Sequence, residues 1–182
     1  ERVTARRRVR NGQVVWEEVP FTIYKFRTMR TDAKSTLHRQ FIEAYIAGDD
    51  KRIAELQSAQ QAEDAKYKLV ADPRVTRVGS FLRKTSLDEL PQLWNVLLGH
   101  MSLVGPRPPI PYEVDLYQPH HHDRLRTIPG LTGWWQVKGR SATSFEEMVR
   151  MDVEYIQQQS FWLDIKIIIM TVTAVTNGKG AR

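Results

Sequence analysis

The 182-residue chain contains no cysteine, which excludes disulfides and thiol catalysis and fits a reducing compartment. It also lacks any apolar run approaching the ~20 residues of a membrane-crossing helix, so the sequence as given is not expected to span a bilayer. No signal peptide is visible, and the first residue is Glu1 rather than Met, so the sequence reads as a piece of something longer. Acidic residues are the scarcer charge, 21 against 27 Lys and Arg, for a net charge of +6. That balance favours an anionic partner: nucleic acid, an acidic membrane surface or a phosphorylated substrate. The plain alternative is a basic surface that serves solubility. What is present suits one folded domain, since 41% hydrophobic and 26% charged residues exclude a disordered chain. No internal repeat is found.

Val3 to Arg10 and Gln13 to Val19 read as two strands joined by Asn11-Gly12, whose residue types suit the positive-φ positions of a type I′ turn. Arg6, Arg7, Arg8 and Arg10 lie on the first arm, where they either meet lipid phosphates or are simply solvated. Phe21 to Arg27 is expected to be a further extended segment, rich in aromatic and β-branched residues. From Thr31 or Asp32 a helix carries Leu37, Phe41, Ile42 and Tyr45 at helical spacing; Gly48 breaks it, and Asp49 or Asp50 caps a second helix with Ile53 and Leu56. This pair reads as a peripheral insertion. Asp72-Pro73 is a turn, and Gly105 to Pro109 is a loop stiffened by three prolines. Gly133 to Gly139 reads as a short strand with glycine ends. Ser144 and Glu147 form a capping box for a helix reaching Gln158, and Ser160 opens a last helix to about Thr176, ended by Asn177-Gly178.

The densest chemistry lies at Ser86-Leu-Asp-Glu-Leu-Pro91. Leu90, Leu93, Trp94 and Leu97 follow helical spacing up to Gly99. Either Ser86 is the N-cap, with Glu89 completing a capping box, or Asp88 is, with Pro91 in the first turn. Both place Asp88 and Glu89 at the positive end of a helix, where carboxylates are favoured for structural reasons alone. The surroundings add to this: Arg74, Arg77, Arg83 and Lys84 precede the pair and Arg107 follows it. A helix start among cations suits a phosphate. An Asp there stays ionised and can attack phosphorus, and a neighbouring acid can bind Mg²⁺, which would offset the repulsion of an anionic diphosphate.

Four blocks then resemble the bacterial sugar transferase family, the monotopic phosphoglycosyl transferases: Phe21 to Met29, Asp72 to Gly99, Met101 to Pro108, and Pro129 to Arg140. They occur in the family's order. The resemblance implies a two-step reaction in which Asp88 attacks the sugar-bearing phosphate of a UDP-sugar, UMP leaves, and a polyprenyl phosphate takes the phosphosugar from the aspartate. It implies Glu89 as the partner carboxylate, in metal binding or acceptor activation, and Mg²⁺ held at Asp88 and Glu89. It implies phosphate and nucleotide contacts from Lys25, Arg27, Arg83, Arg107, Gln136 and Arg140. The partners it implies are a UDP-sugar, polyprenyl phosphate and membrane lipid at the cytoplasmic face of the bacterial inner membrane; a homodimer is plausible and no nucleic acid is expected. The membrane-inserted helix that such proteins carry before the first motif is missing here, and nothing before Pro20 can be transferred.

The remaining features have plainer readings beside the functional ones. The last helix, with Phe161, Trp162, Leu163, Ile165 and Ile167 to Met170, is either interfacial or a core helix. His120-His121-His122 reads as a solvated loop rather than a metal site, with no Cys and no spaced His pair beside it. One of Trp134 and Trp135 could stack on uracil while the other enters the core. A nucleic-acid module would explain the basic charge, but the arginines follow no recognition-helix pattern. A non-catalytic scaffold of polysaccharide assembly would not need both Asp88 and Glu89. The expected fold is α+β: a mostly helical single domain with an N-terminal β-hairpin, short strands and amphipathic interfacial helices. Its parts are a hairpin at 1–20, a helical insertion at 31–70, a catalytic core at 71–140 and C-terminal helices at 141–182.

Overall fold

A computed structural model describes residues 1–11, 13–30, 36–58, 75–139 and 143–176. The expected Asp72-Pro73 turn, the Asn177-Gly178 helix stop, Gly12, Arg74 and Arg140 lie outside these residues.

Strands β1 (Arg2–Arg10) and β2 (Gln13–Phe21) form the antiparallel hairpin, in register from Arg2 opposite Phe21 to Arg10 opposite Gln13. Asn11 has φ +51°, the left-handed conformation that Asn tolerates well. The base of the hairpin is buried through Val3, Ala5 and Phe21, while its arginine-bearing end is exposed. Arg8 and Arg10 both pair with Glu17 across the strands.

Helices α1 (Thr36–Ala47) and α2 (Asp50–Ser58) follow, with Gly48 at φ +66° between them and the Asp49 carboxylate accepting from the Arg52 amide. They are not peripheral. Phe41, Ile42, Ala44, Tyr45, Ile53 and Leu56 form the larger core together with Trp135, Phe145, Met148 and Val149. The polar faces that suggested an insertion are the solvent sides of two amphipathic helices.

Helix α3 (Arg77–Lys84) is capped by Thr76, whose hydroxyl accepts from the Gly79 amide. A 3₁₀ turn at Leu87–Glu89 and the short helix α4 (Gln92–Leu97) come next. Strands β3 (Ser102–Val104) and β4 (Gly130–Thr132) pair in parallel, and between them lie α5 (Pro111–Val114) and a 3₁₀ helix at Pro119–Leu125. The stretch expected as a strand at 133–139 is instead helix α6 (Trp134–Lys138). Adjacent residues on a strand would point to opposite faces. On this helix Trp135 enters the larger core, and Trp134 enters a second one with Val104, Tyr155 and Ile167. Both tryptophans are buried, so neither is presented for stacking on a base.

Helix α7 (Phe145–Gln158) has the expected capping box, with the Ser144 amide donating to Glu147 and the Glu147 amide to the Ser144 hydroxyl. Helix α8 (Phe161–Thr176) is a core helix along one side. Ile167 is fully buried, while Phe161, Trp162, Ile169 and Val172 face outward. Among the described residues no helix is long and apolar enough to cross a membrane. The chain is a mixed α+β domain, as expected.

Candidate active site

The site is built on the segment that follows the hairpin. Residues 22–28 belong to no helix or strand and, among the described residues, have no partner strand. Backbone groups at every second residue are met by helices and turns instead: the Asn95 side chain donates to the Thr22 carbonyl at 2.8 Å and accepts from the Tyr24 amide at 3.0 Å. The Phe26 amide donates to the Asp88 carbonyl at 3.0 Å, and the Thr28 carbonyl accepts from the Thr76 amide at 2.9 Å. The α3 backbone reaches Thr28 because residue 79 is glycine. A Cβ there would lie 2.1 Å from the Thr28 carbonyl oxygen. This approach lets the Arg83 Nε donate to the Thr28 hydroxyl at 2.9 Å.

Asp88 lies in the 3₁₀ turn, entered through Ser86 at φ +56°, an uncommon conformation for a residue with a side chain. Neither proposed N-cap acts as one. Ser86 makes no side-chain capping bond, and α4 starts only after Pro91. The Glu89 carboxylate is held by Lys25 Nζ at 2.6 Å; the same ammonium lies 4.0 Å from Asp88 Oδ2. The carboxylates therefore owe their setting to Lys25 and Arg83 more than to the dipole of a six-residue helix.

Asp88 is 7% exposed. Burial pushes its carboxyl above the usual range; Lys25 pulls it down, Glu89 pushes it up and Arg83 pulls it down. The expectation of an ionised carboxylate rested on the surrounding cations; removal from water is the larger influence and acts in the opposite sense.

The turn and α4 are polar inside and apolar outside. Asp88, Gln92 and Asn95 are buried, while Leu90, Leu93, Trp94 and Leu97 are exposed, Leu97 by 77%. The helical spacing of the leucines was read correctly, but it marks an outward face. Gln92 and Asn95 were not expected at the site; their spacing of four and then three from Asp88 is the signal that the sequence offers for them.

The other expected contacts fall into separate places. Arg27 is exposed. Arg107 and Gln136 follow the carboxyl ends of the parallel strands β3 and β4, the usual position for ligand groups beside parallel strands. The Arg107 carbonyl accepts from Arg124 at 3.4 Å, and Gln136 is half-buried beside Gly133. Arg140 lies outside the described residues.

The histidine run is not a solvated loop. It lies in the 3₁₀ helix, and His121 is 1% exposed. His120, His121 and Glu146 are, among the described residues, a group with metal-ligating atoms within 4.8 Å of one another. However, His121 Nδ1 accepts from the Gln118 amide at 3.0 Å, which leaves the proton of the neutral ring on Nε2, facing Glu146 Oε1 at 2.7 Å. A metal would need that nitrogen's lone pair. The arrangement ties the 3₁₀ helix to α7, and its hydrogen bond to Glu146 is the main cause holding that carboxyl below the usual range.

Residues 6–178 match the family described as Bacterial sugar transferase. The galactosyl transferase CpsE of Streptococcus agalactiae is 42% identical over 174 residues, 95% of this chain and 34% of that protein. The UDP-galactose-lipid carrier transferase of Erwinia amylovora is 44% identical over 161 residues, 88% of this chain and 31% of that protein. The undecaprenyl-phosphate galactose phosphotransferase of Salmonella typhimurium is 41% identical over 161 residues, 88% of this chain and 31% of that protein. The chain thus spans about a third of each of these relatives, and both the buried Asp88 with its cationic frame and the motif order lie inside the matched region: the chain belongs to the bacterial sugar transferase family.

Proposed function

We propose that this chain carries the centre that transfers a sugar-1-phosphate from a UDP-sugar to polyprenyl phosphate. The observation that carries the reading is the buried Asp88 carboxylate beside Glu89, with Lys25 and Arg83 as its cations and an outward apolar face on the same turn and helix. A carboxylate nucleophile needs to be ionised, partly stripped of water and surrounded by positive charge for its anionic target. Relatives named for UDP-galactose, a lipid carrier and undecaprenyl phosphate support both substrate classes.

In the first step an Asp88 oxygen forms a bond to the phosphorus bearing the sugar. The bond from that phosphorus to the bridging oxygen breaks, and UMP departs with the electron pair. In the second step a phosphate oxygen of the polyprenyl phosphate attacks the same phosphorus and Asp88 is released as carboxylate. Lys25 and Arg83 steady charge on the phosphoryl oxygens. Arg107 and Gln136, beyond the parallel strands, are assigned to nucleotide and phosphate contacts.

The Mg²⁺ implied by the family fits the donor set, because Asp88 and Glu89 are adjacent hard-oxygen ligands and Mg²⁺ takes one or two carboxylates plus substrate phosphates. When bound, it would neutralise charge on the diphosphate.

The elements that carry the outward apolar residues adjoin one another. The α3 helix with Val78 and Phe81 packs on the 3₁₀ turn, α4 packs on β3, and β3 packs on α8. An inside-out helix suits a solvent that is itself apolar, and membrane contact through these residues would bring the polyprenyl carrier to Asp88.

The test uses the longer protein that contains this chain, in detergent, with UDP-galactose or UDP-glucose and undecaprenyl phosphate. UMP release is measured. Asp88→Asn should abolish it; full turnover by that variant would overturn the mechanism.

A further inference from the structure

Three polar residues share the inward face of the 3₁₀ turn and α4, and two are already accounted for. Asp88 has its charged neighbours, and Asn95 pins the Thr22 and Tyr24 backbone with both ends of its amide. Gln92 is 3% exposed, and among the described residues its Nε2 has no hydrogen-bond partner. Leaving such a donor buried and unmatched destabilises the fold, whereas an apolar side chain of similar shape would carry no such penalty. Orphans of this sort are few in native proteins and call for a cause.

We propose that Gln92 is a substrate-contacting residue whose carboxamide N–H donates to an oxygen of the phosphoryl group held at Asp88. This deepens the reading of Asp88 as nucleophile and rests on it. Gln92 follows Asp88 by four residues, and the backbone bonds from Glu89 to Ser86, Leu90 to Leu87, Leu93 to Leu90 and Trp94 to Pro91 keep the chain helically wound between them. Both side chains are buried on the inward side of this stretch, and a phosphoryl group attached to the shorter Asp88 carboxylate would extend toward the longer carboxamide of Gln92. The orphan is a donor, so its ligand must bring an acceptor, and phosphoryl oxygens bring only acceptors. A neutral amide also suits the position. It carries no charge of its own and can donate to the transferred group without adding to the charges around the nucleophile.

The test compares Gln92→Met with wild type in the same longer protein. Met removes the donor and keeps a similar shape. The thermal midpoint should hold or rise, because an orphan is removed, and kcat/KM for UMP release should fall about 100-fold, the loss typical of one oxyanion donor. The affinity for UMP should be unchanged, since the contacted phosphoryl leaves with the sugar and not with the nucleotide. A fall in the midpoint with activity lost only in proportion to the unfolded fraction would overturn the proposal, as would turnover within about twofold of wild type. Asp88→Asn run alongside separates the causes. If Asp88→Asn is dead and Gln92→Met is fully active, the Gln92 contact alone is wrong; if Asp88→Asn is active, the nucleophile is wrong and the contact falls with it.

Discussion

Lys25 Nζ bridges two adjoining carboxylates, 2.6 Å from Glu89 and 4.0 Å from Asp88, although 63 residues of chain separate it from the nearer of the two in sequence. The bridge makes the ionisation of Asp88 depend on both neighbours, in opposite senses. Glu89 raises the Asp88 carboxyl and Lys25 lowers it. Since the attacking form is the carboxylate, the acid limb of the kcat/KM profile follows the free site's Asp88. Glu89→Gln should move that limb to lower pH, and Lys25→Met should move it to higher pH, whatever either does to the maximal rate. Shifts in the same direction for both variants would show that the limb belongs to another group.

Gly79 carries a second expectation. A methyl group there would meet the Thr28 backbone, which cannot give way as a flexible side chain would. Gly79→Ala should therefore separate α3 from residues 26–28, break the Arg83 to Thr28 bond and destabilise the protein by about 1–3 kcal/mol, as overpacking commonly does. Urea unfolding reads the stability. The UMP assay should show a loss larger than the unfolded fraction explains, because Arg83 and Lys25 would both be displaced from Asp88.

The elements whose signals are local were legible in the sequence. The hairpin follows from Asn11-Gly12, α7 from the Ser144 and Glu147 capping box, and α8 from its apolar run after Ser160. Where tertiary contacts decide, the reading went astray. Residues 22–28 have strand composition but bond to Asn95, Asp88 and Thr76, a pairing that no local pattern announces. Residues 133–139 have strand composition too, yet they fold as a helix whose two tryptophans are both buried, one in each core. Of the site, the Asp88 and Glu89 pair stood out through its setting of basic residues. Lys25 was read only as a phosphate contact, and its pairing with Glu89 depends on a close approach made in three dimensions. The inverted polarity of α4 was invisible for a simple reason: a helical stripe of leucines looks the same whether it faces a core or a lipid.

That inverted face makes its own prediction. Leu93 and Leu97 are exposed at 43% and 77% and contribute nothing to a core. Replacing both by Ser should leave the thermal midpoint within a degree or two, whereas buried leucines would cost several kcal/mol. Transfer of a leucine side chain out of water is worth about 1.5–3 kcal/mol, so binding to vesicles of anionic phospholipid should weaken by at least about tenfold for the pair. Sedimentation with vesicles measures it. Unchanged binding would rule this face out as a membrane contact.

The last prediction concerns the buried pair that ties the Arg107 loop to α7. Arg124 and Asp152 are each 1% exposed; Arg124 Nε and NH2 lie 2.9 Å and 2.7 Å from the same carboxylate oxygen, and Arg124 also donates to Tyr117. Taking away one partner leaves the other charged and buried, so Arg124→Met or Asp152→Asn alone should cost about 3–5 kcal/mol. Arg124→Met combined with Asp152→Leu removes both charges and should cost much less than the sum, which a double-mutant cycle in urea would register as coupling. The pH dependence has a definite sign. Burial pushes the Asp152 carboxyl up to about 6, more than Arg124 pulls it down. The folded state then holds this proton more tightly than the unfolded chain does, so the contribution of Asp152 to stability is complete below the ordinary carboxylate range and is lost as pH rises through about 6. Wild type should therefore lose unfolding free energy between pH 4 and 7 relative to the doubly apolar variant. A flat difference across that range would mean that Arg124 keeps Asp152 ionised throughout.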